Sequence, residues 1–274
     1  MNQSLDTKRI LIFLAFAFGI AWLAAWIIFR NGGLGGSPEI LAGSGITLSL
    51  ALLAIVYMGA PALAHLLTRL VTRQGFKNLH LRPKLRGWAF WVAAWFLPAI
   101  MTILGGAFFY AVFPQYYDPN LGVLQEMLKT TPGVDGSLWM IVVLQTVSAV
   151  LVAPVINSLF TFGEEFGWRA YLLPSLMPLG GRKAVLLSGV IWGVWHWPII
   201  AMGHNYGVDY FGAPWMGMLM MVWFTICVGT FLSWITLRSA CVWPAVIGHA
   251  AINGISALAV FAVRGEPSTL LGPL

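Results

Sequence analysis

From residue 10 to residue 29 the chain runs for 20 positions without a charged side chain, about the length an α-helix needs to cross a hydrocarbon core. Comparable apolar runs recur at 46–68, 88–113, 184–200, 215–237 and 241–263. Several of these stretches are long enough to cross a bilayer, each needing roughly 20 apolar residues. Lys and Arg number 15 and Asp and Glu 9 among 274 residues, with mean hydropathy +0.83. That excludes an ordinary soluble enzyme and a disordered chain. A net charge of +6 on so apolar a chain reads as asymmetry of the loops, and no DNA or RNA partner is expected. With only Cys227 and Cys241, neither a disulfide framework nor a cysteine-rich zinc module can be assembled.

The order of the charges orients the spans. Lys8 and Arg9 precede the first run, and Arg69, Arg73, Lys77, Arg82, Lys84 and Arg86 fall between the second and third. By the positive-inside rule that loop and the amino terminus lie in the cytoplasm, and residues 30–45 lie outside. Residues 114–136 fit an external loop, with Lys129 against Asp118, Glu126 and Asp135. Residues 137–174 are too long for one straight span and contain Pro154, which removes a helical hydrogen bond and invites a kink. Gly180, Gly181, Arg182 and Lys183 make a basic turn back to the cytoplasm. The expectation is an all-α, polytopic membrane helix bundle of seven to eight transmembrane helices, forming one domain over residues 1–274. The 14 Trp, among them Trp88, Trp139 and Trp215 near span ends, suit an interfacial belt and receive no part in chemistry.

Ionisable side chains deep in a membrane cost roughly 2.5–3.5 kcal/mol each on insertion scales, so each needs a partner or a function. Few qualify: Glu164, Glu165 and Arg169 within 160–173, His196 late in the 184–200 run, and His249 with Asn253 midway along the last. Counted from the cytoplasmic turns at about 1.5 Å per residue, Glu164, His196 and His249 lie at depths of roughly 15, 20 and 17 Å. Three segments distant in sequence thus deliver their strong polar groups to one layer. His65, His80 and His204 have no partner at that depth and read as ordinary surface or span-end residues.

Helix geometry sorts the roles. Glu165 and Arg169 are four apart, share a face and can pair, whereas Glu164 is rotated from Glu165 by about 100°. His249 and Asn253 are also four apart, as are Trp192 and His196. Glu164 as general base for a water, His196 sharing that water, and His249 with Asn253 as donors to a developing oxyanion form a set suited to amide hydrolysis without a side-chain nucleophile. The water requires an aqueous path from the cytoplasmic side. Plainer roles compete: the Glu165 and Arg169 pair can hold helices together, and Asn253 can be interhelical glue.

Gly163-Glu-Glu-Phe-Gly-Trp-Arg-Ala-Tyr-Leu-Leu-Pro174, Ser188-Gly-Val-Ile-Trp-Gly-Val-Trp-His-Trp-Pro198 and His249-Ala-Ala-Ile-Asn253 resemble the three motifs of CPBP intramembrane metalloproteases. That family is also called Abi or CAAX-protease-like and includes the type II CAAX prenyl endopeptidase. The resemblance covers about residues 157–254, roughly a third of the chain, while the first 136 residues match only as apolar spans. It implies a helical bundle with an intramembrane cavity open to the cytoplasm. Carried over by residue, it makes Glu164 the catalytic glutamate, Glu165 its partner and Arg169 the motif arginine. His196 becomes the water-activating histidine, and His249 with Asn253 the oxyanion pair. Ala170 stands where a glycine is common. The implied substrate is a membrane-embedded or C-terminally processed peptide or protein in the bilayer. Prenylation of that substrate is not implied, since some relatives are linked to bacteriocin processing or self-immunity.

Three other readings stay open on the sequence alone. No cofactor is expected, but a zinc protease with His196, His249 and a glutamate as ligands is an alternative, although HExxH is absent. A transporter or scaffold could use Pro61 and Pro154 to break helices, though no inverted repeat is visible. Gly43-Ser44-Gly45 is the nearest hint of a serine enzyme, and it reads as a turn in an external loop.

Overall fold

The computed structural model describes residues 4–129, 136–270 and 272, so Asp135 lies outside the described residues. Among them all regular structure is helical. In chain order the helices are α1 (Thr7–Arg30), α2 (Leu48–Val71), α3 (Leu85–Val112), α4 (Gly122–Lys129), α5 (Leu138–Leu151), α6 (Ala153–Leu179), α7 (Gly181–Trp195), α8 (Trp197–Ala201), α9 (Trp215–Ser239) and α10 (Trp243–Ala262). Five of these, α1, α2, α3, α9 and α10, are long and apolar enough to cross a membrane, and α5 with α6 makes a sixth if the pair is one broken span. The chain is a multi-pass integral membrane protein.

Prolines account for where the helices depart from simple runs. The long segment 137–174 breaks at Val152, and Pro154 falls in the first turn of α6, where its missing N–H is not needed. The run 184–200 becomes α7, 15 residues long, and α8, 5 residues long, separated at His196. Pro198 cannot donate to the carbonyl four residues earlier, so α7 ends and the chain restarts. In α2 the turn widens to i→i+5 bonding over Leu52–Tyr57, with Met58 N donating to Leu53 O, just ahead of Pro61. The same widening occurs in α6 over Trp168–Leu172, just ahead of Pro174.

By its contacts the chain divides into two compact units, Met1–Phe90 with Leu159–Val246, and Trp91–Ser158 with Ile247–Leu274. In the first, α1 turns Phe13, Ala17, Ala21, Ala24 and Ala25 inward and packs on Tyr57, Ala60 and Ala64 of α2. Lipid tails are as apolar as leucine, so small side chains that let backbones approach do the work of association. Helix α6 approaches α2 in the same way: a methyl group on Gly163 would overlap Met58 O, and one on Gly167 would overlap Pro61. Between α7 and α9, a Cβ on Gly189 would fall 2.8 Å from Ile226 Cα, and one on Gly193 would fall 2.6 Å from Val222 Cα. The Gly43-Ser44-Gly45 segment is a turn, as expected, with the N–H groups of Gly43 and Gly45 donating to the Glu39 carboxylate.

In the second unit Ala99, Ala149 and Ile255 form a small core. Trp95 Nε1 donates to Val150 O at 2.7 Å and Tyr110 Oη to Ala259 O at 2.6 Å. Asp118 starts α4 by accepting from Asn120 N and Gly122 N.

Trp88, Trp139 and Trp215 are exposed, in keeping with the interfacial role given to them. That role does not extend to Trp168, Trp192 and Trp195, which are buried in the core of the first unit.

Candidate active site

Helix α6 places Glu164 and Glu165 at the end of its α-helical part, immediately before the widened turn Trp168–Leu172. A π-type turn rotates the remainder of the helix and frees carbonyls from the ladder, which is why such turns concentrate at functional sites. Here Phe166 O, one residue beyond the glutamates, accepts from His65 Nδ1 at 2.8 Å. His65 Nε2 accepts in turn from Arg69 Nε at 2.7 Å. His65 is therefore fully buried, and the sequence reading of it as a surface or span-end residue is corrected. Its partners are a backbone carbonyl and a residue of its own helix, neither of which a depth count can register.

The four-residue spacing of Glu165 and Arg169 yields the expected pair: Arg169 Nη1 donates to Glu165 Oε1 at 3.0 Å, with both side chains buried. The Arg169 guanidinium also lies 4.3 Å from the centroid of the Trp192 ring, a cation–π contact that gains strength away from water. Gly229 of α9 makes room for it, since a Cβ there would come within 3.3 Å of Arg169 Nη2.

Trp192 joins this pair to the remaining groups. Its Nε1–H donates to Glu164 Oε2 at 2.6 Å, and its carbonyl lies 2.8 Å from His196 Nδ1. A carbonyl can only accept, so Nδ1 carries the proton and the neutral ring has Nε2 as its basic nitrogen. The end of α7 is held by Tyr57 Oη and Trp22 Nε1, which both donate to Trp195 O. The Trp195 ring meets His196 edge to face, with centroids 4.8 Å apart. Glu164 and His196 are both buried. A carboxylate and an imidazole fixed in this way, away from bulk solvent, can take and return a proton.

Of the six residues singled out from sequence, Glu164, Glu165, Arg169 and His196 are brought together in the first unit. His249 and Asn253 lie on α10 in the second unit, His249 buried and Asn253 exposed. Trp192 is the residue that sequence reasoning passed over. Its spacing from His196 was visible, but counting every Trp as an anchor hid its bond to Glu164. Among the described residues, no three His, Cys, Asp or Glu side chains form a cluster able to hold a metal ion. Two residues beyond Arg169, Tyr171 lines a cleft of about 710 Å3 together with Asp6, Arg9, Gln74 and Ser175.

Residues 137–255 match the family of type II CAAX prenyl endopeptidase Rce1-like proteins. A curated relative, "CAAX prenyl protease 2" of Methanococcus maripaludis, is 31% identical over 93 residues, which are 33% of this chain and 34% of the relative. The match thus spans about a third of the relative's length. The resemblance read from the three motifs is borne out.

Proposed function

We propose, with the match of residues 137–255 to the type II CAAX prenyl endopeptidase family as premise, that this chain is an intramembrane endopeptidase. In this reading it hydrolyses a peptide bond of a membrane-associated or lipidated substrate with a water activated by Glu164 and His196. The observation that carries the reading is the buried assembly in which Trp192 bonds the Glu164 carboxylate and holds His196 by its Nδ1.

Glu164 accepts a proton from the water as its oxygen attacks the scissile carbonyl carbon, while His196 Nε2 takes a hydrogen bond from the same water. The tetrahedral oxyanion that forms needs donors, a role the motif resemblance assigns to His249 and Asn253. Glu164 then returns its proton to the departing amide nitrogen, the C–N bond breaks, and the products are a carboxylic acid and an amine, which become carboxylate and ammonium once the acid's proton passes to the amine. Glu165 neutralises Arg169, so a buried cation is present beside Trp192 without an uncompensated charge.

The fuller topology belongs to the same proposal. Counting α5 with α6 as one span and α7 with α8 as another gives seven spans, with an eighth if α5 and α6 are separate elements. The amino terminus and the basic loop then lie in the cytoplasm by the positive-inside rule. The cleft beside Tyr171, whose rim includes Asp6 and Arg9 near the amino terminus, would supply water from that side.

The test is to incubate purified protein in liposomes with a farnesylated C-terminal peptide and its unprenylated counterpart in 18O-labelled water, followed by mass spectrometry. Hydrolysis predicts a shortened peptide with one 18O in its new carboxylate. Uptake of either peptide without cleavage would favour a transporter instead.

A further inference from the structure

Trp192 makes three contacts within the site through three different parts of itself. The indole N–H donates to Glu164 Oε2 at 2.6 Å, the ring face lies 4.3 Å from the Arg169 guanidinium, and the carbonyl accepts from His196 Nδ1 at 2.8 Å. The side chain is buried and belongs to the core of the first unit. Gly189 and Gly193 on the same helix give up their side chains to seat α7 against α9, so the indole is carried on a closely packed support.

A glutamate has three rotatable side-chain bonds, and in a dry site no bulk water selects among its orientations. A short hydrogen bond to a charged oxygen is strong and directional, so the indole N–H fixes the plane of the carboxylate. The same residue's carbonyl selects the histidine tautomer that makes Nε2 the basic nitrogen. We propose that Trp192 is a positioning residue for the hydrolysis, orienting the acid–base carboxylate of Glu164 through its indole N–H while its backbone holds His196. This rests on the proposed roles of Glu164 and His196 and adds a separable claim: the N–H, not the bulk of the ring, is what turnover requires.

The claim is tested by replacing Trp192 with 3-benzothienylalanine, introduced at that single codon, which keeps the ring shape and substitutes sulfur for N–H. Trp192→Phe is the encoded companion, and Glu164→Gln is measured in parallel. Misorientation of a reacting group costs up to about 100-fold in rate. The expected result is a kcat lower by about 10- to 100-fold in the benzothienyl protein and in Trp192→Phe, with KM within about twofold and an unchanged melting temperature in the former. A benzothienyl protein with full kcat, or with a raised KM and unchanged kcat, would overturn the claim and leave Trp192 as packing. Full turnover in Glu164→Gln would instead sink the underlying reading, so the two failures are distinguishable.

Discussion

Glu165 and Arg169 meet at 3.0 Å with side chains 0% and 1% exposed, one helical turn apart on α6. Burying two charges is expensive, and removing one partner leaves the other uncompensated, at a cost of about 3–5 kcal/mol. Arg169 also covers Trp192, so its loss reaches the residue that bonds Glu164. Arg169→Met should lower thermal stability by an amount in that range and reduce turnover. The double variant Glu165→Gln with Arg169→Met should recover part of the stability but not the turnover. Equal stability of the single and double variants would argue that the pair is not coupled.

Close packing of α7 on α9 gives a sharper contrast. A methyl group at Gly193 would sit 2.6 Å from both Thr225 Oγ1 and Val222 Cα, whereas one at Gly19 on α1 would meet nothing within 4 Å. Overpacking of this kind costs about 1–3 kcal/mol. Gly193→Ala should therefore lower the melting temperature and disturb Trp192 one residue earlier, while Gly19→Ala should leave stability unchanged or slightly raised. Melting curves of the two variants in one detergent decide it.

His65 links α2 to the carbonyl beside the glutamates, and Arg69, bonded to His65, also donates through Nη1 to Gly75 O at 2.9 Å and Lys77 O at 3.1 Å. His65→Leu leaves Phe166 O and Arg69 Nε without these partners, a loss of about 1–3 kcal/mol. Hydrogen exchange at residues 75–78 should rise in that variant and rise less in His65→Gln, which keeps an amide donor and acceptor. Unchanged exchange in both would show that Arg69 holds the loop without His65.

Much of this site was legible in the chain before its coordinates, and the reasons are specific. Glu165 and Arg169 pair because a helix brings positions four apart together, which spacing alone reveals. Glu164 and His196 were grouped by depth, and Trp192 joins them. What spacing could not reveal was partner choice between helices. Trp192 and His65 both bond across to another element, and such contacts depend on which faces meet. The interruption of the run 184–200 was not legible, because hydropathy does not register the backbone donor missing at Pro198, where α7 gives way to α8 at His196. The grouping of His249 and Asn253 with the others rests on depth and on the motif resemblance alone.

The loop segment before α4 carries a pH dependence of predictable sign. Backbone N–H groups of Gly122 and then Asn120 bond the Asp118 carboxylate and, with Arg264 nearby, hold its pKa below the ordinary carboxylate value. A group depressed in the folded state stabilises it above the unfolded pKa, about 3.9 for Asp. That stabilisation is lost as pH falls through the lower folded value. Protection of the Asn120 and Gly122 amides should be full at neutral pH and should fall in that acid window. Asp118→Asn should flatten the dependence, and a profile that Asp118→Asn leaves unaltered would assign it to another group.

The central claim is that a buried glutamate on α6 activates the water. Its most direct measurement is the single-turnover rate of the liposome-reconstituted Glu164→Gln protein on a peptide that the unaltered protein cleaves, with folding verified by an unchanged melting curve. The change removes the proton acceptor and keeps shape, and general acid–base catalysis contributes typically 10²–10⁴-fold. The account predicts a rate lower by about 100-fold or more. A folded Glu164→Gln protein that cleaves at the unaltered rate would contradict it.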